Sequence, residues 1–190
     1  MLSDKHILLA SNSPRRKELL AGLNVQFDVV TLPDIDESYP QDLRGEEIAL
    51  YIAKKKADAY KSMLNDTQII LTADTIVCLD NTVFGKPEDE EDAKAMLKAL
   101  SGKTHQVITG VTLANKDKEI AFASVTDVTF DSLTDEEIEY YVTNFKPMDK
   151  AGSYGIQEWI GFVGVKGISG SYFNVMGLPV QKLYKELIKF

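Results

Sequence analysis

The sequence predicts a mixed α/β fold in which a mixed sheet carries flanking helices and a smaller second lobe. Two observations predict it. Strands and helices alternate through the front of the chain, and a long antiparallel ribbon follows them. A length of 190 residues with 44% hydrophobic and 26% charged residues suits one large domain or two closely joined lobes, with a core of useful size and no global disorder. A cleft between the lobes is the default site.

The elements follow in order. Residues 6–10 (HILLA) read as a short buried strand. Pro14 opens a helix to Leu23, stopped by Gly22 or Asn24. Residues 26–31 form a second strand, and the stretch from Leu32 to Gly45, with Pro33 and Pro40, is a loop. The clearest helix covers 46–64, with Ile48, Ile52, Ala59 and Met63 on one face. Residues 68–79 are an apolar β-rich run, turned by Asp80-Asn81 into a hairpin with residues 82–84. A helix from Glu88 to Leu100 carries acids in its first turn, as the helix dipole favours. Residues 105–114 and 119–130 form the ribbon. Thr134 to Glu137 is a capping box for a helix ending near Phe145 before Pro147. A strand is expected over 162–166, and Pro179 starts a final helix with Val180, Leu183, Tyr184 and Leu187 inward.

Composition excludes several functions. A net charge of −8 disfavours a broad nucleic-acid surface and a polybasic membrane anchor. Cys78 is the single cysteine, so neither an internal disulfide nor a Cys-rich zinc site is available. His6 and His105 are far apart and have no ligand cluster beside them. The apolar run Ile7 to Ala10 is too brief for a signal-peptide core, and nothing reaches the length of a membrane span. A soluble cytoplasmic protein is expected.

Four places break local rules. The segment Ser11-Asn12-Ser13-Pro14-Arg15-Arg16 follows a strand and opens a helix, so two cations sit where the dipole disfavours them by about 0.3–1 kcal/mol each. An anion at the helix start reverses that sign, and backbone N–H groups, serine hydroxyls and guanidinium groups then converge on a phosphate. Two solvated arginines are the plainer reading. Asp74, with Thr75 beside it, interrupts an apolar run. A carboxylate there is costly to desolvate unless it is paired, metal-bound or at a strand end that meets water. Lys56 shares the helical stripe of Ile52 and Met63, whereas Lys54 points away. It either snorkels to water or presents a point charge to a phosphate. Lys86, between Gly85 and Pro87, is open to the same two readings. Finally, Asp149 to Gln157 (DKAGSYGIQ) places Gly152 and Gly155 beside a glutamine that can both donate and accept. A structural turn with a solvated amide is its plainer reading. Other motifs fail: Gly167-Ile168-Ser169-Gly170 is not a nucleophile elbow, and no P-loop occurs. His105 reads as a satisfied histidine rather than a base.

Taken in order, Ser13-Pro-Arg-Arg16, Lys56-Ala57, Ala73-Asp-Thr-Ile-Val77, Gly85-Lys-Pro87, Leu100-Ser-Gly102, Asp149 to Gln157 and Gly177-Leu-Pro179 resemble the Maf, or septum-formation-inhibitor-like, nucleoside triphosphate pyrophosphatases. The resemblance spans nearly the whole chain. It implies a single domain over residues 1–190 in two lobes, with an inosine-triphosphatase-like fold, an elongated sheet and a central cleft. It also implies hydrolysis of a nucleoside triphosphate to monophosphate and pyrophosphate with Mg²⁺ or Mn²⁺. Asp74 matches the catalytic proton acceptor. Arg15, Thr75 and Gln157 match positions of substrate choice, and Asp-Thr with Gly-Ile-Gln resembles the subgroup acting on dTTP and UTP. Ser11, Arg16, Lys56 and Lys86 match phosphate-binding positions, and Asp74 with Glu37 the metal-binding ones. A homodimer is implied. The competing reading is a non-enzymatic nucleotide-binding regulator of cell division.

Overall fold

The computed structural model describes residues 5–190. Its seven-stranded sheet has the order β2-β1-β3-β5-β6-β7, with β4 hydrogen-bonded to β3 off this path. The strands are β1 (His6–Leu9), β2 (Gln26–Val29), β3 (Gln68–Leu79), β4 (Thr82–Phe84), β5 (Thr104–Ala114), β6 (Glu119–Phe130) and β7 (Val165–Ser169). The helices are α1 (Pro14–Ala21), α2 (Glu46–Tyr60), α3 (Glu90–Leu100), α4 (Asp135–Phe145), α5 (Trp159–Val163), α6 (Tyr172–Val175) and α7 (Val180–Lys189). The sheet is mixed. β1 pairs in parallel with β2 and with β3, whereas β3–β4 and β6–β7 are antiparallel.

The chain divides into two compact units. Of the described residues, the first comprises 5–74, 109–124 and 177–190, and the second 75–108 and 125–176. In the first unit the register His6↔Gln68 to Leu9↔Leu71 sets β1 beside β3. A buried cluster of Leu8, Ala57, Tyr60, Leu64, Ile70 and Ala114 packs α2 against these strands. Helix α2 begins with Glu46 and Glu47, acids that suit its N-terminus. It comes close enough to β5 that a Cβ on Gly110 would stand 2.3 Å from the Ala49 carbonyl oxygen. In the second unit Phe130, Tyr141, Leu97, Leu100, Val128 and Tyr154 lie in one core. Thr134 caps α4 through a reciprocal capping box with Glu137, as the sequence predicts, and Lys146 ends it in the left-handed region. Asn115 closes the β5–β6 ribbon: its side-chain oxygen accepts from the N–H groups of Asp117 and Lys118.

Two expectations are corrected. The buried face of α2 is Ile48, Ala49, Ile52, Ala53, Ala57 and Tyr60. Ala59 and Met63 are exposed: Ala59 lies within α2 but outside its buried stripe, and a 3₁₀ turn over Lys61–Met63 rotates Met63 off it. The expected strand over 162–166 is instead the end of α5 followed by β7. Gly161 and Gly164 lie in or beside that short helix, and a Cβ on Gly161 would stand 1.7 Å from the Ile156 carbonyl oxygen. The expected strand is thus present but begins three residues later, at Val165.

Candidate active site

Helix α1 opens as the sequence predicts. Ser13 is the N-cap, its hydroxyl accepting from the Arg16 N–H at 3.5 Å, and Pro14 takes the first turn. The buried Ser11 hydroxyl accepts from the Ser13 N–H at 3.2 Å. The first turn holds no acid, so Arg15 and Arg16 sit where the helix dipole disfavours cations. Arg16 is not a solvated cation. Its Nε donates to the Gly177 carbonyl at 2.8 Å, and a terminal nitrogen donates to the Ala73 carbonyl at 2.9 Å. The forked guanidinium ties the start of α1 to the residue preceding Asp74 and to the chain just before α7. Burial pulls the Arg16 pKa down. The negative charges of Asp74 and Glu37 oppose that shift, and the neighbouring Arg15 adds to it.

Asp74 ends the part of β3 that lies in the first unit. It is buried, and its Oδ1 is 2.8 Å from the Lys56 ammonium. The same ammonium is 2.9 Å from Glu37 Oε1. The lysine side chain is 15% exposed and the Asp74 side chain 12%. Lys56 therefore does not snorkel to water. It joins α2, β3 and the loop bearing Glu37 through one charge. Lys54 points away, as expected, to Glu119, and the adjacent Lys55 holds Asp36 at 2.7 Å. The loop is thus tied to α2 at two consecutive acids. Lys55, with help from Ser38, pulls the Asp36 carboxyl well below the usual carboxylate range.

The structure therefore brings Ser11, Arg15, Arg16, Glu37, Lys56 and Asp74 together within the first unit. Thr75, Lys86 and Gln157 belong to the second. Thr75 follows Asp74 along β3, so its side chain takes the opposite face of the strand. Lys86 is exposed on the loop after β4. That loop is fastened to the glycine-bearing segment by the Gly152 N–H, which donates to the Gly85 carbonyl at 3.0 Å. Gly152 adopts φ 68°, a conformation that favours glycine. Gln157 is not a solvated amide: its Oε1 is buried and has no hydrogen-bond partner among the described residues.

Two residues that sequence reasoning did not single out, Tyr141 and Glu158, bond to the chain on either side of Gln157. Tyr141 on α4 accepts at its hydroxyl from the Gly155 N–H at 2.9 Å and donates to Glu158 Oε2. Glu158 Oε1 lies 3.1 Å from the buried Lys150 ammonium, which also holds Asp149 at 2.8 Å. Adjacency to Gln157 was the available signal for Glu158. Nothing local pointed to Tyr141. His105 is buried, with Nε2 2.7 Å from the Tyr154 hydroxyl and its ring edge-on to Phe130 and Tyr154. Burial pushes its pKa down to about 4. The expectation of a satisfied histidine holds at Nε2 only: the buried Nδ1 has no hydrogen-bond partner among the described residues.

Among the described residues, no group of three or more His, Cys, Asp or Glu side chains is arranged to hold a metal ion. Among them, no helix is long and apolar enough to cross a membrane.

Comparison with known proteins adds three findings. The Maf family model, described as Maf-like protein, matches residues 6–190. A dTTP/UTP pyrophosphatase of Phocaeicola vulgatus is 64% identical over 183 residues, covering 96% of this chain and 95% of that protein. One of Bacteroides thetaiotaomicron is 60% identical, covering 98% and 97%. Among solved structures, a HAM1 protein from Coxiella burnetii superposes with a TM-score of 0.54 at 17% identity, over 98% of this chain and all of that one. That likeness establishes the inosine-triphosphatase-like α/β fold.

Proposed function

This chain belongs to the Maf family, and from that membership we infer that it is a nucleoside triphosphate pyrophosphatase that hydrolyses dTTP and UTP to the monophosphate and pyrophosphate. The observation that carries the mechanism is the joining of Asp74, Glu37 and Lys56 through one ammonium, with Arg16 clamped to the carbonyl before Asp74. In a protein of net charge −8, a polyphosphate is bound only where local cations outweigh the overall field.

Asp74 accepts a proton from the attacking water. The water oxygen then bonds to the α-phosphorus, the bridge between the α- and β-phosphates breaks, and pyrophosphate leaves. Arg15, Arg16 and Lys56 meet the triphosphate charge, and Ser11 with the N–H groups of the α1 start donates to phosphate oxygens. Such a reaction needs positioning and charge stabilisation rather than covalent chemistry by the protein. Gln157, whose buried Oε1 lacks a partner among the described residues, reads the pyrimidine edge, and Thr75 and Arg15 are the other residues assigned to substrate choice. A nucleotide that leaves such a group unpaired is rejected.

A divalent cation, Mg²⁺ or Mn²⁺, fits the donor set. Two carboxylates, Asp74 and Glu37, already converge on a single positive charge. Magnesium characteristically takes one or two carboxylates and completes its shell with substrate phosphates and water. When bound, it supplies charge neutralisation to the leaving pyrophosphate. The reading also carries a homodimer in the cytoplasm, to be checked by sedimentation and by fractionation.

Incubation with a panel of nucleoside triphosphates and Mn²⁺, with product identification, tests the function. Pyrophosphate and dTMP or UMP are expected from dTTP or UTP. Release of orthophosphate would place the attack at another phosphorus. Binding without any turnover is what a regulatory protein predicts, and no observation here favours that reading.

A further inference from the structure

Gln157 presents a buried acceptor with no hydrogen-bond partner among the described residues, which costs free energy in the empty protein. A side chain kept in such a state needs a backbone that cannot relax. The chain on both sides of Gln157 supplies it. Two residues before, the Gly155 N–H donates to Tyr141 Oη at 2.9 Å. One residue after, the Glu158 carboxylate accepts from that same hydroxyl and pairs with Lys150 at 3.1 Å. The Glu158 N–H returns to the Gly155 carbonyl at 2.9 Å, and the Glu158 carbonyl accepts from the Gly161 N–H at 2.8 Å. Tyr141 is fully buried and Lys150 nearly so. Burial first, then its bond to Glu158, pushes the Tyr141 phenol well above its ordinary pKa, so the hydroxyl stays protonated and keeps donating.

Gly155 completes the set. A Cβ there would stand 2.8 Å from the Glu158 carboxyl carbon, so any larger residue at this position would push that carboxylate away from its partners. A buried ion pair with a tyrosine is a poor way to gain stability, because desolvation offsets most of the attraction. What it does provide is a single geometry for the segment between its anchors.

We infer that Tyr141, Glu158 and Lys150 are positioning residues for base selection. They hold residues 155–158 so that the Gln157 amide faces the nucleotide base in advance of binding. The inference rests on the pyrophosphatase reading above and extends it to three residues outside the cation-bearing cluster. Preorganisation of this kind shows as selectivity rather than as turnover. Tyr141→Phe removes the shared hydroxyl at nearly constant volume. Glu158→Ala removes the carboxylate, whereas Glu158→Gln keeps an oxygen that can accept from Tyr141.

The experiment measures kcat and KM for dTTP and for GTP on the purified full chain and these variants, with thermal unfolding to confirm that each is folded. In Tyr141→Phe and Glu158→Ala the ratio of kcat/KM for dTTP over GTP falls about threefold to tenfold, the equivalent of one hydrogen bond. The loss lies in KM for dTTP, with kcat within about twofold. Glu158→Gln retains most of the ratio. Should Tyr141→Phe or Glu158→Ala fail to fold, Lys150→Met, which keeps an apolar stem and removes the ammonium, carries the same expectation. Folded variants with an unchanged ratio, or with a loss in kcat alone, overturn the inference while leaving the pyrophosphatase reading intact. A wild-type chain that cleaves no nucleotide overturns both.

Discussion

Lys56 Nζ stands 2.8 Å from Asp74 Oδ1 and 2.9 Å from Glu37 Oε1, so one ammonium from α2 orients two carboxylates carried by different parts of the chain. Replacing Asp74 by Asn keeps the shape and a hydrogen-bond acceptor but removes the proton-accepting carboxylate. Turnover of dTTP is expected to fall about 10²–10⁴-fold, while nucleotide binding, followed by calorimetric titration, changes little. An Asp74→Asn protein with wild-type activity removes this residue from the mechanism.

Lys56→Met keeps most of the stem and deletes the charge. Asp74 then loses its charge partner in a largely dry setting, so the chain should lose about 3 kcal/mol of stability or somewhat less where water reaches the rim. Urea unfolding of the metal-free protein measures this, and a midpoint equal to that of the wild type contradicts it.

Arg16 acts as a clamp through two carbonyls 104 positions apart, Ala73 and Gly177. A lysine supplies one flexible point charge in place of a planar fork. Arg16→Lys should lower both stability, by about 1–2 kcal/mol, and kcat/KM. A variant that loses activity with no change in unfolding midpoint would show that the clamp contributes nothing to the fold.

Gly110 lets α2 rest on β5. A methyl group there meets the Ala49 carbonyl oxygen at 2.3 Å, which is backbone and cannot step aside alone. Gly110→Ala is therefore expected to shift α2 and with it Lys56, costing about 1–3 kcal/mol in overpacking and reducing kcat/KM along with the midpoint. Retention of both would mean that the helix has room to slide.

His105 gives a pH signature. Its pKa, pushed down by burial to about 4, lies below the ordinary value of about 6.5. Below pH ~6.5 the unfolded chain binds a proton that the folded chain refuses, so stability falls as the pH drops from about 6.5 to about 4 and is fully present above that window. The contribution is about 3 kcal/mol at most. His105→Gln should flatten the pH dependence of the urea midpoint across this window. An equally steep dependence would assign it to the carboxylates instead.

Strand β3 and its turn into β4 were legible from an apolar β-rich run and Asp80-Asn81, because period and turn chemistry are local. The capping box at Thr134 was legible for the same reason. The inward face of α2 was only half legible. Ile48 and Ile52 announce it, but a 3₁₀ turn after Tyr60 ends the helical period before Met63. The strand expected around 162–166 begins only at Val165, because α5 continues to Val163. At the site, Asp74 and the Arg15-Arg16 pair stood out because each breaks a local rule. Tyr141 breaks none, and its bond to Gly155 spans fourteen residues.

Residue order alone was enough for the kind of fold, the family and the set of charged side chains suited to a polyphosphate, since each follows from periodicity, capping or a run of motifs along one stretch of chain. Which charges meet was settled by folding. Lys56 had two readings until the packing of α2 turned its ammonium onto Asp74 and Glu37, and Arg16 became a clamp only because Ala73 and Gly177 arrive at the same point. Ion pairs and hydrogen bonds act over about 3 Å, and a linear pattern says nothing of distances between residues a hundred positions apart.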